Sequence, residues 1–421
     1  MGRGESYPGR GCERRRRPGQ YDGRGRSGRV VIGAVVSGTL QGLFVLIEVY
    51  YAIYVLLELR TLWISRKAQR RELPRLSACA SSAPDTAFAP PVSVLLPVRD
   101  VPAVIERLID AVCRLRYPRS ALEILVLDDS ADETTLLAQR RIDHWRRQGV
   151  DIRLVRRKDR EGFKAGNLAN GIREASGDFF VIFDADFVPP EDFLLRTMPC
   201  FRDPKLGYLQ TGIAYENRDK SFLTRFQAME MGHQQVVNEG LSADGDMASL
   251  TGTSCIWRRA CVEALGGWDA ATVTEDVDLN YRAQLGDWKY AYLREVVSTS
   301  LLPETVSAYR LRRERWGRGL IHNAFRHVGR MFARPMTLMQ RLHAISVMFS
   351  SLLLASIYLV VLLSLPLTWL TTGDEVISRW GVPLFYGLVT LWALDNAVGA
   401  QRSAGPDADW GRLRSFLEIY P

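Results

Sequence analysis

Four charged clusters follow one another along the chain: Asp128-Asp129, Asp184-Ala185-Asp186, Thr274-Glu275-Asp276, and Arg312-Arg313-Glu314-Arg315-Trp316. The first two close strongly apolar runs at residues 124–127 and 179–183. Carboxylates at strand ends do little for packing, whereas a parallel sheet binds ligands beyond the carboxyl ends of its strands. Alternate residues of an extended chain point the same way, so Asp184 and Asp186 can face one cation. Magnesium takes one or two carboxylates plus substrate phosphates, and a metal so placed neutralises a departing diphosphate. Asp128-Asp129 can accept hydrogen bonds from a base N–H or a ribose hydroxyl. Helix capping suits Ser130 or Asp132 better than Asp128. One acid beyond the metal pair is what deprotonation of a hydroxyl requires, and Asp276 supplies it. Capping by Thr274 at a helix start is the competing explanation of that trio. Guanidinium forks at Arg312, Arg313 and Arg315 match phosphate, and the Trp316 indole offers a flat face to a sugar ring.

The elements that must position these groups are legible as a strand–helix alternation. Strands are expected at 92–98, 122–127, 151–155 and 179–183, with helices at 101–115, 134–147 and 164–174 between them. Continuous apolar strands separated by amphipathic helices predict an α/β fold with a mostly parallel sheet covered on both faces. After Asp186 the pattern loosens into a helix at 191–201, a strand at 207–214, a helix at 221–239, a helix at 276–284 and a strand at 289–293.

Apolar stretches at 30–64 and 344–372 are long enough to cross a bilayer, and a third at 381–394 is marginal. The expected division is a disordered basic tail at 1–29, a transmembrane segment at 30–64 and a linker at 65–91. A catalytic domain follows at 92–317, then an interfacial amphipathic helix at 318–342 and transmembrane segments at 343–400. A C-terminal tail at 401–421 either closes the chain or has been cut short. The +8 net charge concentrates beside the apolar stretches, which points to anionic headgroups rather than nucleic acid. Both flanks of 30–64 are basic, so this stretch is either a re-entrant pair or a span whose tail is translocated against its charge. The lipid bilayer is thus an expected partner, with the catalytic domain on the cytosolic side. Six scattered cysteines form no C-x-x-C pair, which gives neither a structural zinc site nor a disulfide framework. His322 and His327, five residues apart, sit poorly on one helix face and read as part of a basic interfacial helix.

Taken together, Val92-Ser-Val-Leu-Leu-Pro97, Leu127-Asp-Asp129, Gly162-Phe-Lys-Ala-Gly-Asn-Leu168, Asp184-Ala-Asp186, Gly252-Thr-Ser254, Trp257-Arg-Arg259, Gly266-Gly-Trp-Asp269, Thr274-Glu-Asp276 and Arg315-Trp316 resemble the processive branch of glycosyltransferase family 2. That branch includes the cellulose, mannan, hyaluronan and chitin synthases, and the segments 160–166 and 302–304 look most like mannan synthases. The resemblance implies a GT-A fold (Rossmann-like, mostly parallel) with flanking transmembrane helices. It further implies a Mg2+ or Mn2+ cofactor, a UDP-sugar or GDP-mannose donor, and a glycan or glycolipid acceptor. Transferred to this sequence, Asp128, Asp129, Lys164, Asp184 and Arg315 would contact the nucleotide. Asp184 and Asp186 would hold the metal, Asp276 would be the general base, and Glu275 and Trp316 would meet the acceptor. The implied setting is a bacterial inner membrane, or a plasma or Golgi membrane in a eukaryote. Two positions depart from the pattern: Pro97-Val-Arg-Asp100 stands where Asn-Glu is common, and Arg312 replaces the usual Gln, as in lipid glycosyltransferases. An inverting transferase that extends a β-linked glucan or mannan is therefore expected. The alternatives are a single-sugar transfer to a ceramide or polyprenyl lipid, and a catalytically silent sugar-nucleotide sensor.

Overall fold

A long helix, α1 (Arg24–Arg71), leads into a seven-stranded sheet in the computed structural model, which describes residues 24–71, 88–249, 251–370 and 380–403. Strands β1 (Val92–Val98), β2 (Leu122–Asp128), β3 (Ile152–Arg156) and β4 (Phe179–Ile182) lie in the order β3-β2-β1-β4, all parallel. Helices α2 (Ile105–Cys113), α3 (Thr134–Arg146) and α4 (Phe163–Glu174) make the crossovers. Every residue of β2 is buried, as a strand covered on both faces requires. Val94, Leu96, Ile124 and Val126 pack on one side of the sheet, and Leu95, Leu125 and Leu127 on the other. All four strands run the same way, so Arg99, Asp128, Arg156 and Asp184 emerge along one edge.

The second half departs from simple alternation. Helix α5 (Phe193–Thr197), strand β5 (Leu206–Tyr215) and helix α6 (Phe222–Asp244) come next. Strand β6 (Cys255–Arg258), helix α7 (Arg259–Ala264), helix α8 (Glu275–Leu285) and strand β7 (Lys289–Ser300) follow. The sheet continues β4-β6-β5-β7, with β6 antiparallel to β4 and β5, and β5 parallel to β7. Strand β6 and helix α7 were not expected, because four residues carry too little periodicity to be seen. The antiparallel register sets Cys255 opposite Ile182. That brings the Gly252-Thr253 turn beside Asp184.

Helix α9 (Val306–Ala333) is continuous, so the expected interfacial helix at 318–342 is not a separate element from the Arg312–Trp316 run. It buries Gly319, Asn323, Ala324, His327 and Met331 and exposes Phe325 and Phe332. His327 is enclosed and bonds through Nε2 to Asp278 Oδ1 at 2.9 Å. It therefore packs against α8 rather than facing headgroups. Helices α10 (Leu338–Met348), α11 (Ser350–Leu370) and α12 (Val382–Ser403) follow.

Residues 24–29, expected in a disordered tail, belong to α1, whose unbroken course removes the re-entrant reading of 30–64. Within α1, Gly38–Lys67 is long and apolar enough to cross a membrane. The α10 helix and the Ser350–Leu363 part of α11 meet at a 59° bend and pass the same test only when taken together. Phe44, Tyr51 and Val55 of α1 pack with Val360, Leu363 and Phe385 of α11 and α12. The expected linker at 65–91 and the tail at 401–421 lie largely outside the described residues.

Candidate active site

The crevice is built where β1, β2 and β4 end and α8 begins. After β4 the Asp184 backbone N–H donates to Thr253 Oγ1 at 2.9 Å, fixing the strand exit. Lys164, in the first turn of α4, donates from Nζ to Asp184 Oδ1 at 2.7 Å and stands 4.0 Å from Glu275 Oε1. Its Nζ also lies 3.5 Å from the Gly252 carbonyl, while the Gly252 N–H donates to Asp276 Oδ2 at 2.8 Å. Thus Asp184, Lys164, Glu275, Gly252 and Asp276 form one connected cluster. Asp186, two residues beyond Asp184, has a separate partner and accepts from Ser300 Oγ at 2.6 Å.

Electrostatics within the cluster follow from burial and like charge. Burial raises Glu275, the neighbouring Asp276 adds to it, and Lys164 opposes; the outcome is a pKa of about 7. Asp276 is raised mainly by burial, again against Lys164. For Lys164, burial alone would lower the pKa, but Asp184, Glu275 and Asp276 outweigh it and hold the ammonium charged. Two like-charged acids around one cation give a site whose charge state is shared, so the pair titrates as a unit.

Thr274 does not cap α8 through its side chain. Its Oγ1 instead accepts from Asn323 Nδ2 at 2.9 Å, which corrects the capping explanation of the trio. Gly319 lets α9 approach this closely, since a β-carbon there would lie 2.3 Å from Thr274 Oγ1. Arg315 and Gly319 are four residues apart and share a helix face, and Trp316 shares one with Asn323. This sets the Arg315–Trp316 turn one step along α9 from the α8 start. Arg315 is exposed, with no ion-pair partner among the described residues. Arg312 lies over the Trp316 ring at 4.8 Å and donates to Gln227 Oε1 at 2.6 Å. Arg313 pairs with Glu230 at 2.5 Å.

Asp128 and Asp129 both have partners within the chain. The Asp128 side chain is fully enclosed; it accepts from Ser130 N–H at 2.9 Å and Thr135 Oγ1 at 2.6 Å. It therefore shapes the turn into α3, the local role that had seemed to suit Ser130 or Asp132 better. Asp129 takes a two-pronged contact from Arg157, with Nε at 2.8 Å and Nη2 at 2.6 Å. Arg157 also donates to the Glu161 and Phe163 carbonyls, tying β2 to the loop that presents Lys164. In that loop Gly162 and Phe163 have φ of 72° and 50°, and a β-carbon at Gly162 would lie 2.8 Å from Ala270 Cβ. Sequence reading missed Arg157, Thr253, Ser300 and Asn323. Only the Gly252-Thr-Ser254 motif carried a signal, and that signal named no role.

A family model described as glycosyltransferase like family 2 matches residues 90–319, the span that contains Lys164, Asp184, Asp186, Glu275, Asp276 and Arg315. The chain belongs to that family. This family member is 38% identical over 236 residues to the probable glucomannan 4-beta-mannosyltransferase 6 of Oryza sativa subsp. japonica, covering 55% of this chain and 41% of that protein. It is 34% identical over 342 residues to glucomannan 4-beta-mannosyltransferase 9 of Arabidopsis thaliana, covering 79% of this chain and 63% of the relative. The chain thus spans about half the length of the relatives it matches. The mannosyltransferase PcManGT from Pyrobaculum calidifontis, solved in complex with GDP-Man and Mn2+, aligns with a TM-score of 0.55 at 20% identity. The alignment covers 88% of this chain and 97% of that one. The fold is the expected mostly parallel GT-A type.

Proposed function

We propose that this chain is a membrane-bound inverting glycosyltransferase that passes a hexose from a nucleotide sugar to a growing β-linked glycan of the mannan or glucan type. The observation that carries the reading is the convergence of Asp184, Lys164, Glu275 and Asp276 on one crevice at the sheet's carboxyl edge. The likeness to plant glucomannan mannosyltransferases favours GDP-mannose as donor. Exposed Val35, Leu46, Leu56 and Trp63 along α1 favour a bilayer around that helix.

Asp184 and Asp186 fit a hard divalent cation, Mg2+ or Mn2+. Each keeps one carboxylate oxygen without a hydrogen-bond partner among the described residues, and oxygen donors of this kind suit these ions. Such an ion, when bound, supplies Lewis-acid stabilisation of the departing diphosphate. Lys164 and Arg315 add positive charge on the diphosphate side, and Trp316 gives the acceptor sugar a flat surface. Asp276 takes the proton of the acceptor hydroxyl as its oxygen attacks the anomeric carbon and the nucleoside diphosphate departs. Glu275 sits beside it, facing the acceptor. The nucleoside end falls to the turn built on Asp128 and Asp129, where direct contact requires Arg156 or Arg157 to yield.

Incubating the detergent-purified chain with GDP-mannose, UDP-glucose or UDP-N-acetylglucosamine and Mn2+ tests the proposal. A ladder of β-linked oligosaccharides is expected. A single sugar added to a ceramide or polyprenyl lipid would favour the second reading, to which the Arg312 guanidinium over Trp316 gives some weight. The absence of transfer from any donor would refute both.

Two further results are expected. The acid limb of kcat/KM should lie above the ordinary carboxylate range, because burial raises Asp276 and its neighbour Glu275 alike. The base works as a carboxylate, so activity falls as pH drops through that limb. A profile flat down to the ordinary carboxylate range would remove the pair from the rate law. Gly252→Ala places a β-carbon 2.2 Å from Asp276 Cβ and must displace the acid. Displacements of about 1 Å cost roughly 10²-fold in rate, so transfer should fall by that order while circular dichroism is unchanged.

A further inference from the structure

Away from the crevice, three apolar-flanked helices bring acids and an imidazole together. Glu58 on α1, His233 on α6 and Asp395 on α12 are all buried, with 7%, 7% and 3% of their surface exposed. His233 Nε2 lies 3.3 Å from Glu58 Oε2 and 3.6 Å from Asp395 Oδ2. One donor atom from each residue falls within 4.8 Å of the others. Donors around a tetrahedral zinc ion are roughly 3.4 Å apart, so small side-chain shifts suffice to enclose a cation. Close approach is built in, because a β-carbon at Gly399 would lie 2.1 Å from His233 Nδ1. The family's catalytic chemistry uses none of these residues.

We propose that Glu58, His233 and Asp395 bind a divalent transition-metal ion of the zinc type, which clamps α1 and α12 to α6 of the catalytic domain. His233 stands between two buried carboxylates, and one imidazole with carboxylate oxygens is a donor set that zinc takes. A second buried imidazole lies on α10: His343 is 1% exposed, and neither of its ring nitrogens has a hydrogen-bond partner among the described residues. It is within electrostatic reach of Glu58 and Arg60. Two carboxylates and an imidazole make a mixed oxygen–nitrogen set that suits zinc better than magnesium.

The test uses the full chain purified in detergent, loaded with Zn2+ and then desalted. About one zinc per chain should remain, and replacement by Co2+ should give the visible absorption of a tetrahedral site. His233→Gln should weaken retention by at least a hundredfold, since even loss of a supporting contact costs up to that much. Asp184→Asn and Asp186→Asn should retain the zinc, which separates this site from the crevice. A chelator should lower the melting temperature of the wild type and leave that of His233→Gln unchanged. If His233→Gln does not fold, Glu58→Gln and Asp395→Asn, made singly, serve the same comparison. Wild-type chain that keeps no zinc after desalting would overturn the proposal, as would equal retention in wild type and the folded ligand variants.

Discussion

Asp276→Asn should lower glycosyl transfer by roughly 10²–10⁴-fold, the range a positioned acid–base group contributes, while donor affinity stays close to wild type. The amide is isosteric and its oxygen still accepts the Gly252 N–H, which keeps the turn beside Asp184, while its NH2 gives up the Val277 N–H contact. What disappears is the capacity to take a proton from the acceptor hydroxyl. Calorimetric titration with GDP-mannose, run beside a radiolabelled transfer assay, separates the two effects. Near wild-type turnover would shift the base assignment to Glu275, the other acid in the cluster.

Asp186→Ala should be as damaging by a different route. Loss of a metal ligand removes several kcal/mol of charge stabilisation; taking ~4 kcal/mol as typical, transfer falls by about 10³. Because the ion would bridge protein and diphosphate, donor affinity should weaken as well, unlike in Asp276→Asn. Raising Mn2+ should recover part of the activity in the conservative Asp186→Asn and little in Asp186→Ala. Unchanged Mn2+ dependence in both would take Asp186 out of the cation site.

The parallel half of the sheet was legible because the strands at 92–98, 122–128 and 179–182 are largely apolar runs, and the crossovers between them show helical spacing. Metal-site candidates were legible for the same reason: Asp184 and Asp186 interrupt an apolar run that burial would otherwise continue. The antiparallel strand Cys255–Arg258 was not, being shorter than one period of any useful pattern. With it went the reason Gly252 and Thr253 matter, since only pairing of Cys255 with Ile182 sets them beside Asp184. Arg157 was invisible in a segment with several arginines, where nothing local marks the one that reaches Asp129. The bonds that Asp128 accepts from Ser130 and Thr135 were equally unmarked, since short polar residues after a strand name no partner.

Continuity of α9 has a geometric outcome. Helical rise is about 1.5 Å per residue, so the indole of Trp316 and the exposed ring of Phe332, sixteen positions on, are about 24 Å apart along one rod. That rod is pinned at its middle, where Gly319 and Asn323 meet Thr274. It acts as a ruler: the level at which a sugar chain would rest above the greasy end is set by residue count, and the two cannot drift apart without breaking the helix.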